Sequence, residues 1–410
     1  MVNLYIFNET SRSAVYGVGT YIRELTSALK DSEINVCVVH LLSEKPNIGP
    51  SETDSIRHWC IPLPINLLTS FDSSRQYELY YRNIVYLLRL QIKNTENLVF
   101  HLNYNQSGKL AEELKIAFDC RIVSVAHYSE WGFIVYDNLA RLRSILNEEH
   151  SDDFSKNVKK LFELEKSLYS KADHVVCLSN YMNQILRQDY VIDSERISVI
   201  PNGLNDMAMN QSDKILLCKK WQILPKEKVI LFAGRLDEIK GLSFLIKAFR
   251  DILLVYSQSR LVIAGEGGFS KYTKESQDIC TKITYTGLLD KTQLYEWYSL
   301  ADVGVIPSLF EPFGYVAVEM MMHELPIIAT TTSGLNEVVD DECGIKIPVI
   351  QYQDKVDIDS NLLAEKIVYV LQHPVEAKKI GQNGRKRFLE KYSSEVFRKN
   401  MIEFYQSLYK

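Results

Sequence analysis

The sequence lacks any uninterrupted apolar run approaching the ~18 residues of a membrane-spanning helix. Its start, Met1-Val-Asn-Leu-Tyr-Ile-Phe-Asn, has neither the basic opening nor the long apolar stretch of a signal peptide and soon meets Glu9. A cytoplasmic location is therefore expected. A cysteine framework is also missing. Seven cysteines, at 37, 60, 120, 177, 218, 280 and 343, are odd in number, widely spaced and without a C-x-x-C pair. That excludes a disulfide scaffold and a structural zinc site of the usual spacing. There is no basic excess: 47 Lys and Arg face 52 Asp and Glu, a net charge of −5, so no nucleic-acid partner is expected. Low-complexity tracts and 20–50-residue repeats are absent as well.

What is present is strand–helix alternation along 410 residues, enough for two domains at about 100–200 residues each. Short apolar runs read as strands at Val2–Phe7, Val36–Leu41, Leu98–Leu102, Arg121–Val125, His174–Leu178, Ile197–Ile200, Val229–Ala233, Arg260–Ala264, Ile283–Thr286, Val303–Ile306 and Pro326–Ala329. Amphipathic stretches such as Tyr21–Lys30, Leu242–Tyr256, Lys291–Ser299 and Tyr315–His323 separate many of them. This pattern predicts an α/β fold of two doubly wound, Rossmann-like domains with parallel sheets. The boundary is expected at the Pro201-Asn202-Gly203 turn, giving domains 1–200 and 201–389, with the segment 390–410 packing back on the first. Arg75–Lys93 mixes Arg, Tyr, Leu and Ile over several turns; it reads as a surface helix of the first domain or as a weak peripheral membrane contact.

The chemistry concentrates in Ser308-Leu-Phe-Glu311-Pro-Phe-Gly314-Tyr-Val-Ala-Val-Glu319, which follows an apolar strand and opens an apolar helix. Amides at a helix start favour an anion, and two glutamates eight positions apart suit the two ends of an extended ligand. A second string, Leu231-Phe-Ala-Gly234-Arg235-Leu-Asp-Glu-Ile-Lys240-Gly241, puts two cations in a loop between strand and helix. An arginine fork and a lysine point charge together neutralise a diphosphate.

These strings resemble the E-x7-E and G-R-x5-K-G elements of the family-4 glycosyltransferases, which have the GT-B fold of two domains facing across a cleft. The likeness runs over most of the chain and is densest from Ile200 to Asp340. It implies a retaining transfer of a hexose-type sugar from a nucleoside diphosphate sugar, UDP-linked, to a hydroxyl of a saccharide, polypeptide or lipid-linked acceptor. It also implies that Glu311 meets the transferred sugar and Glu319 the ribose. The backbone around Phe313, Gly314, Tyr315 and Val316 would hold the diphosphate, and Arg235 and Lys240 would stabilise it as it leaves. Leu289, in Tyr285-Thr-Gly287-Leu288-Leu289-Asp290, would lie against the base. In the first domain the family places a glycine loop where this chain has Tyr16-Gly17-Val-Gly19-Thr20, with Gly19 as the contact. It places a histidine at His127, followed here by Tyr128 rather than Asp. His101 is a second candidate at the neighbouring strand. Ser333-Gly334-Leu-Asn-Glu337 resembles the family's Gly-Gly-x-x-Glu turn, with Ser333 for the first glycine.

No metal and no cofactor beyond the donor are expected, because Arg235, Lys240 and the helix amides already meet the leaving charge; Asp357-Ile-Asp359 reads as a solvated loop. Tyr77, Tyr80, Tyr81, Tyr104, Tyr128, Trp131 and Tyr136 are candidate acceptor-stacking residues. A nicotinamide dehydrogenase is excluded by the missing third glycine and ribose-binding acid. A sugar-nucleotide epimerase would not need the Glu311–Glu319 string. A non-catalytic subunit of the same fold should have lost those residues.

Overall fold

In a computed structural model the chain is described over residues 1–9, 17–44, 49–53, 56–64, 73–147, 152–208, 214–352 and 355–409. It divides into two compact units: Met1–Glu130 with Ile145–Gly203 and Ser394–Lys410, and Trp131–Ser144 with Leu204–Ser393.

The first unit is built on β1 (Val2–Glu9), β2 (Ile34–Ser43), β3 (Gly49–Thr53), β4 (Ile56–Pro62), β5 (Leu98–Leu102), β6 (Arg121–Ala126), β7 (His174–Cys177) and β8 (Ile197–Val199). Their order in the sheet is β3-β4-β2-β1-β5-β6-β7-β8, and only the edge pair β3–β4 is antiparallel. Helices on both faces explain why β1 and β5 are buried at every position and read as continuous rather than alternating apolar runs. The strand order reverses beside β1, which lies between β2 and β5. Gly17, at φ 72°, caps α1 (Val18–Leu29) after β1. Further along the chain are α2 (Ser73–Gln91) and α3 (Asp153–Lys171).

The C-terminal helix Ser394–Ser407 belongs to this unit. Arg398 donates to the carbonyls of Ala28 and Lys30 at the end of α1. The Tyr405 hydroxyl bonds His101 Nδ1 at 2.8 Å, and Tyr409 donates to Leu98 O at 2.6 Å.

Inside the unit, Glu165 of α3 is fully buried. It accepts from Asn105 Nδ2 at 3.0 Å, from the Glu130 amide at 2.6 Å and from the Tyr190 hydroxyl. Burial outweighs these donors and pushes its carboxyl up from 4.5 to about 8. The folded chain thus keeps a proton that the unfolded chain has lost. The stability linked to Glu165 is full below pH ~4.5 and is lost as the pH rises to ~8. Glu165→Gln keeps the hydrogen bonds without the charge. It is expected to raise the urea midpoint at pH ~8, leave it nearly unchanged at pH ~4.5, and flatten the slope between them. An unaltered slope would show that Glu165 stays ionised in the fold.

The second unit holds β9 (Lys228–Ala233), β10 (Ser259–Ala264), β11 (Ile283–Gly287), β12 (Val303–Ile306), β13 (Ile327–Thr330) and β14 (Gly344–Ile347). The order β11-β10-β9-β12-β13-β14 is parallel throughout. It is the doubly wound arrangement whose switch point lies between the first and fourth strands, β9 and β12. The helices α4 (Leu242–Val255), α5 (Lys291–Leu300) and α6 (Tyr315–Met322) follow β9, β11 and β12. Gly304 in β12 lets α6 approach: a Cβ there would sit 2.4 Å from Met320 Sδ.

Residues 131–144 correct the expected boundary, which put them in the first domain. Phe133 and Tyr136 pack on the core of the second unit, Phe133 edge-to-face on Phe310 at 5.0 Å. Asn138 Nδ2 donates to Tyr352 O at 3.1 Å. Apolar burial and a backbone acceptor draw this segment away from its sequence neighbours.

Candidate active site

The carboxyl ends of the second unit's strands meet in one rim of loops stitched by backbone hydrogen bonds. Gly234 N donates to Ala264 O and Leu236 N to Glu266 O, joining the loops after β9 and β10; Gly265 N reaches Gly287 O at the end of β11. Leu309 N donates to Ile239 O at 2.7 Å, which closes the switch point itself. Two glycines permit this spacing. A Cβ on Gly241 would lie 1.8 Å from Pro307 O, and one on Gly265 1.8 Å from Gly234 O.

At this switch point the two sequence strings come together. Lys240, in a single 3-10 turn after β9, forms an ion pair with Glu311 after β12, Nζ to Oε2 at 2.6 Å, each side chain 18% exposed. Arg235 leans on Asp237 at 3.1 Å. Glu311 stands ahead of the helix that carries Glu319. It precedes the cap Gly314 (φ 97°, ψ 62°), and its carbonyl accepts from Leu335 N at 3.1 Å. The first bonds within α6 run from Ala317 and Val318 to Gly314 O. The amides of the preceding turn, Tyr315 and Val316, therefore point along the axis toward the positive end of the helix dipole. Phe313 is buried beside Tyr315 and Tyr392.

Glu319 lies on α6, a helix whose residues from Ala317 to Met322 are all buried. Its side chain is 5% exposed. The Tyr298 hydroxyl donates to Oε2 at 2.9 Å, and Lys291 pairs with Oε1. A carboxylate offers about four lone-pair sites, so about two remain for a ligand. Lys291 and Tyr298 were not legible as partners, because they stand 28 and 21 residues away with no recurring spacing. The nearest signal is Asp290, which caps α5 and places Lys291 at its first turn. Leu289 is half-buried in the loop before that cap.

Ser333 takes φ 40°, the left-handed region in which glycine is favoured, so the serine there holds a strained backbone. Asp357 and Asp359 are not a solvated loop. Asp357 lies in the short strand Val356–Ile358, and Asp359 caps the helix Ser360–Gln372 through Asn361 N and Leu362 N. No group of three or more His, Cys, Asp or Glu able to hold a metal ion occurs among the described residues.

His127 and Gly19 belong to the first unit. Gly19 lies in the first turn of α1, while Gly17 takes the positive φ; Tyr16 lies outside the described residues. His127 follows β6. Asn103 donates through Nδ2 to Phe7 O, so its Oδ1 faces His127 Nε2 at 2.9 Å and accepts that proton. Burial lowers the His127 imidazole to about 3, and it is neutral near pH 7. His101 is buried between the Tyr21 and Tyr405 hydroxyls and ties down the C-terminal helix. Of the proposed stacking aromatics, Tyr80, Tyr81, Tyr104, Tyr128 and Trp131 are buried. Their rings serve the core, which leaves Tyr77 and Tyr136 partly accessible.

Two family models divide nearly the whole chain: Glycosyltransferase Family 4 matches residues 15–206 and Glycosyl transferases group 1 matches residues 213–387. An uncharacterized glycosyltransferase of Methanocaldococcus jannaschii is 29% identical over 264 residues, 62% of this chain and 65% of that protein. A D-inositol 3-phosphate glycosyltransferase of Segniliparus rotundus is 26% identical over 249 residues, 59% of this chain and 53% of that protein. The chain thus spans between about half and two thirds of these relatives' own length. Among solved structures, sucrose-phosphate synthase from Thermosynechococcus elongatus has a TM-score of 0.80 at 22% identity, covering 100% of this chain and 99% of that one. The Anabaena protein HepE, solved with UDP and glucose, has a TM-score of 0.73 at 16% identity over 99% and 100% of the two chains. At these identities the structural likeness shows the fold.

Proposed function

Because this chain belongs to the family-4 glycosyltransferases of GT-B fold, we propose that it is a retaining glycosyltransferase that moves a hexose-type sugar from a UDP-sugar to an acceptor hydroxyl. The acceptor is a saccharide, a polypeptide or a lipid-linked carrier. The reading is carried by one observation: Lys240, Glu311, Arg235 and the N-terminus of α6 converge at the switch point of a doubly wound sheet. That is where such sheets bind nucleotides. The UDP in the HepE structure supports the choice of nucleotide.

In this mechanism the bond from the anomeric carbon to the diphosphate breaks, and negative charge gathers on the departing phosphate. Arg235, Lys240 and the amides of Tyr315 and Val316 meet that charge without reorganising. The acceptor oxygen bonds to the same face of the sugar, and its proton passes to the departing phosphate oxygen. Lys240 leaves Glu311 for the diphosphate, which frees Glu311 to accept from sugar hydroxyls. Glu319 takes the ribose diol on its remaining lone pairs, and Leu289 backs the base. His127, neutral and committed to Asn103, suits a positioning role rather than proton transfer.

The test is nucleotide release from UDP-, GDP- and ADP-sugars without added metal. Slow release from a UDP-sugar is expected, with Glu319→Ala raising the donor KM about 10–100-fold, as loss of hydrogen bonds to a charged group implies. Binding of a UDP-sugar with no turnover on any acceptor would favour a non-catalytic subunit. An unchanged KM in the variant would remove Glu319 from the site.

A further inference from the structure

The helix α2 stands apart from this chemistry, and its two sides differ. Tyr80, Tyr81, Ile84, Val85 and Leu88 are buried. The Tyr80 hydroxyl accepts from Leu42 N at 2.8 Å and donates to Ile61 O, which fixes the helix on its unit. The opposite side exposes Leu79 (45%), Tyr86 (63%) and Leu90 (49%). At 3.6 residues per turn these three fall within an arc of about 40°. Arg82 and Arg89, both exposed, run along one flank of that arc. Neither has an ionic or hydrogen-bonding partner among the described residues. The stretch Arg75–Lys93 carries four basic residues against the single acid Glu78, in a chain whose net charge is −5.

Single exposed apolar residues are ordinary. Three in a row beside unpaired guanidinium groups are a different arrangement. The face offers three apolar side chains, far short of the roughly 20–30 residues a side of a stable protein–protein interface. An anionic bilayer asks for less. Guanidinium groups sit at the phosphate level with their stems lying along the apolar strip, while tyrosine and leucine enter the headgroup boundary. Each cation near such a surface adds favourable attraction that salt screens.

We propose that the outer face of α2, with Leu79, Arg82, Tyr86, Arg89 and Leu90, docks this protein on an anionic lipid surface. The full chain is tested by flotation with vesicles of phosphatidylcholine alone and with ~30% phosphatidylglycerol added, which supplies the negative surface charge. Partition to the anionic vesicles, none to the neutral ones, and release at ~1 M salt are expected. Arg82→Gln with Arg89→Gln should weaken partition about thirtyfold, and Tyr86→Ser severalfold with its salt dependence unchanged. All three positions are exposed, so the variants should fold, with melting temperatures to confirm it. Absence of binding to anionic vesicles by the folded wild type would overturn the proposal, as would undiminished binding by the double arginine variant. Concentration-dependent dimerisation that Tyr86→Ser abolishes would overturn it in favour of self-association. Donor turnover in lipid-free solution reads the active site separately and is expected to be unchanged in all of these variants.

Discussion

Replacing Lys240 with alanine should lower kcat for sugar transfer by about 10²–10³-fold, with Arg235→Ala falling in the same range. The figure follows from removing one preorganised group aimed at charge that develops in the transition state. Donor affinity should fall much less, because the diphosphate is already charged in the ground state and the amides of α6 remain. The split between kcat and donor KM is therefore the diagnostic reading. Lys240→Ala also strands Glu311, whose ionic partner at 2.6 Å it removes. For that reason Glu311→Gln combined with Lys240→Ala should cost less than the product of the two single effects. Initial rates for the four proteins on the UDP-sugar that wild type turns over complete the cycle. If Lys240→Ala and Arg235→Ala both kept wild-type kcat, the loop after β9 would have no role in leaving-group departure.

A single methyl group at Gly241 is expected to destabilise the second unit by about 3–5 kcal/mol. Its Cβ would lie 1.8 Å from Pro307 O while the backbone holds φ 67°. Strain at a left-handed position adds to an overlap that only backbone movement relieves. The residue also joins the Lys240 turn to α4, so the movement would displace the cation. Gly287 supplies the control. It too has positive φ, 69°, yet nothing lies within 4 Å of its would-be Cβ, so Gly287→Ala should cost only about 1 kcal/mol. Urea unfolding of the two alanine variants separates the contributions. Equal midpoints would mean that the loops at the switch point yield easily, and that the rim is soft rather than stitched.

Much of this arrangement was legible along the chain. Buried parallel strands such as β1, β5 and β12 announce themselves as short apolar runs, since both faces are covered and no alternation is required. Gly314 before an apolar helix marks a helix start. Glu311, Glu319, Arg235 and Lys240 stood out because strand ends and helix starts flank them. The edge strands β3 and β4 did not stand out: β3, Gly-Pro-Ser-Glu-Thr, carries no apolar signal and forms by antiparallel pairing with β4.

The fold class, the family and the strings that supply the charges of the proposed donor site can all be read along the chain. These depend on neighbours a few residues apart, where helix and strand periods act. What those charges touch is set only by packing in three dimensions. Packing set Lys291 and Tyr298 on Glu319, paired Lys240 with Glu311, drew residues 131–144 into the second unit and turned five candidate stacking aromatics into core. Each of those outcomes joins groups tens of residues apart. Such pairs meet only when packing brings them together, and no local period records a contact that packing makes.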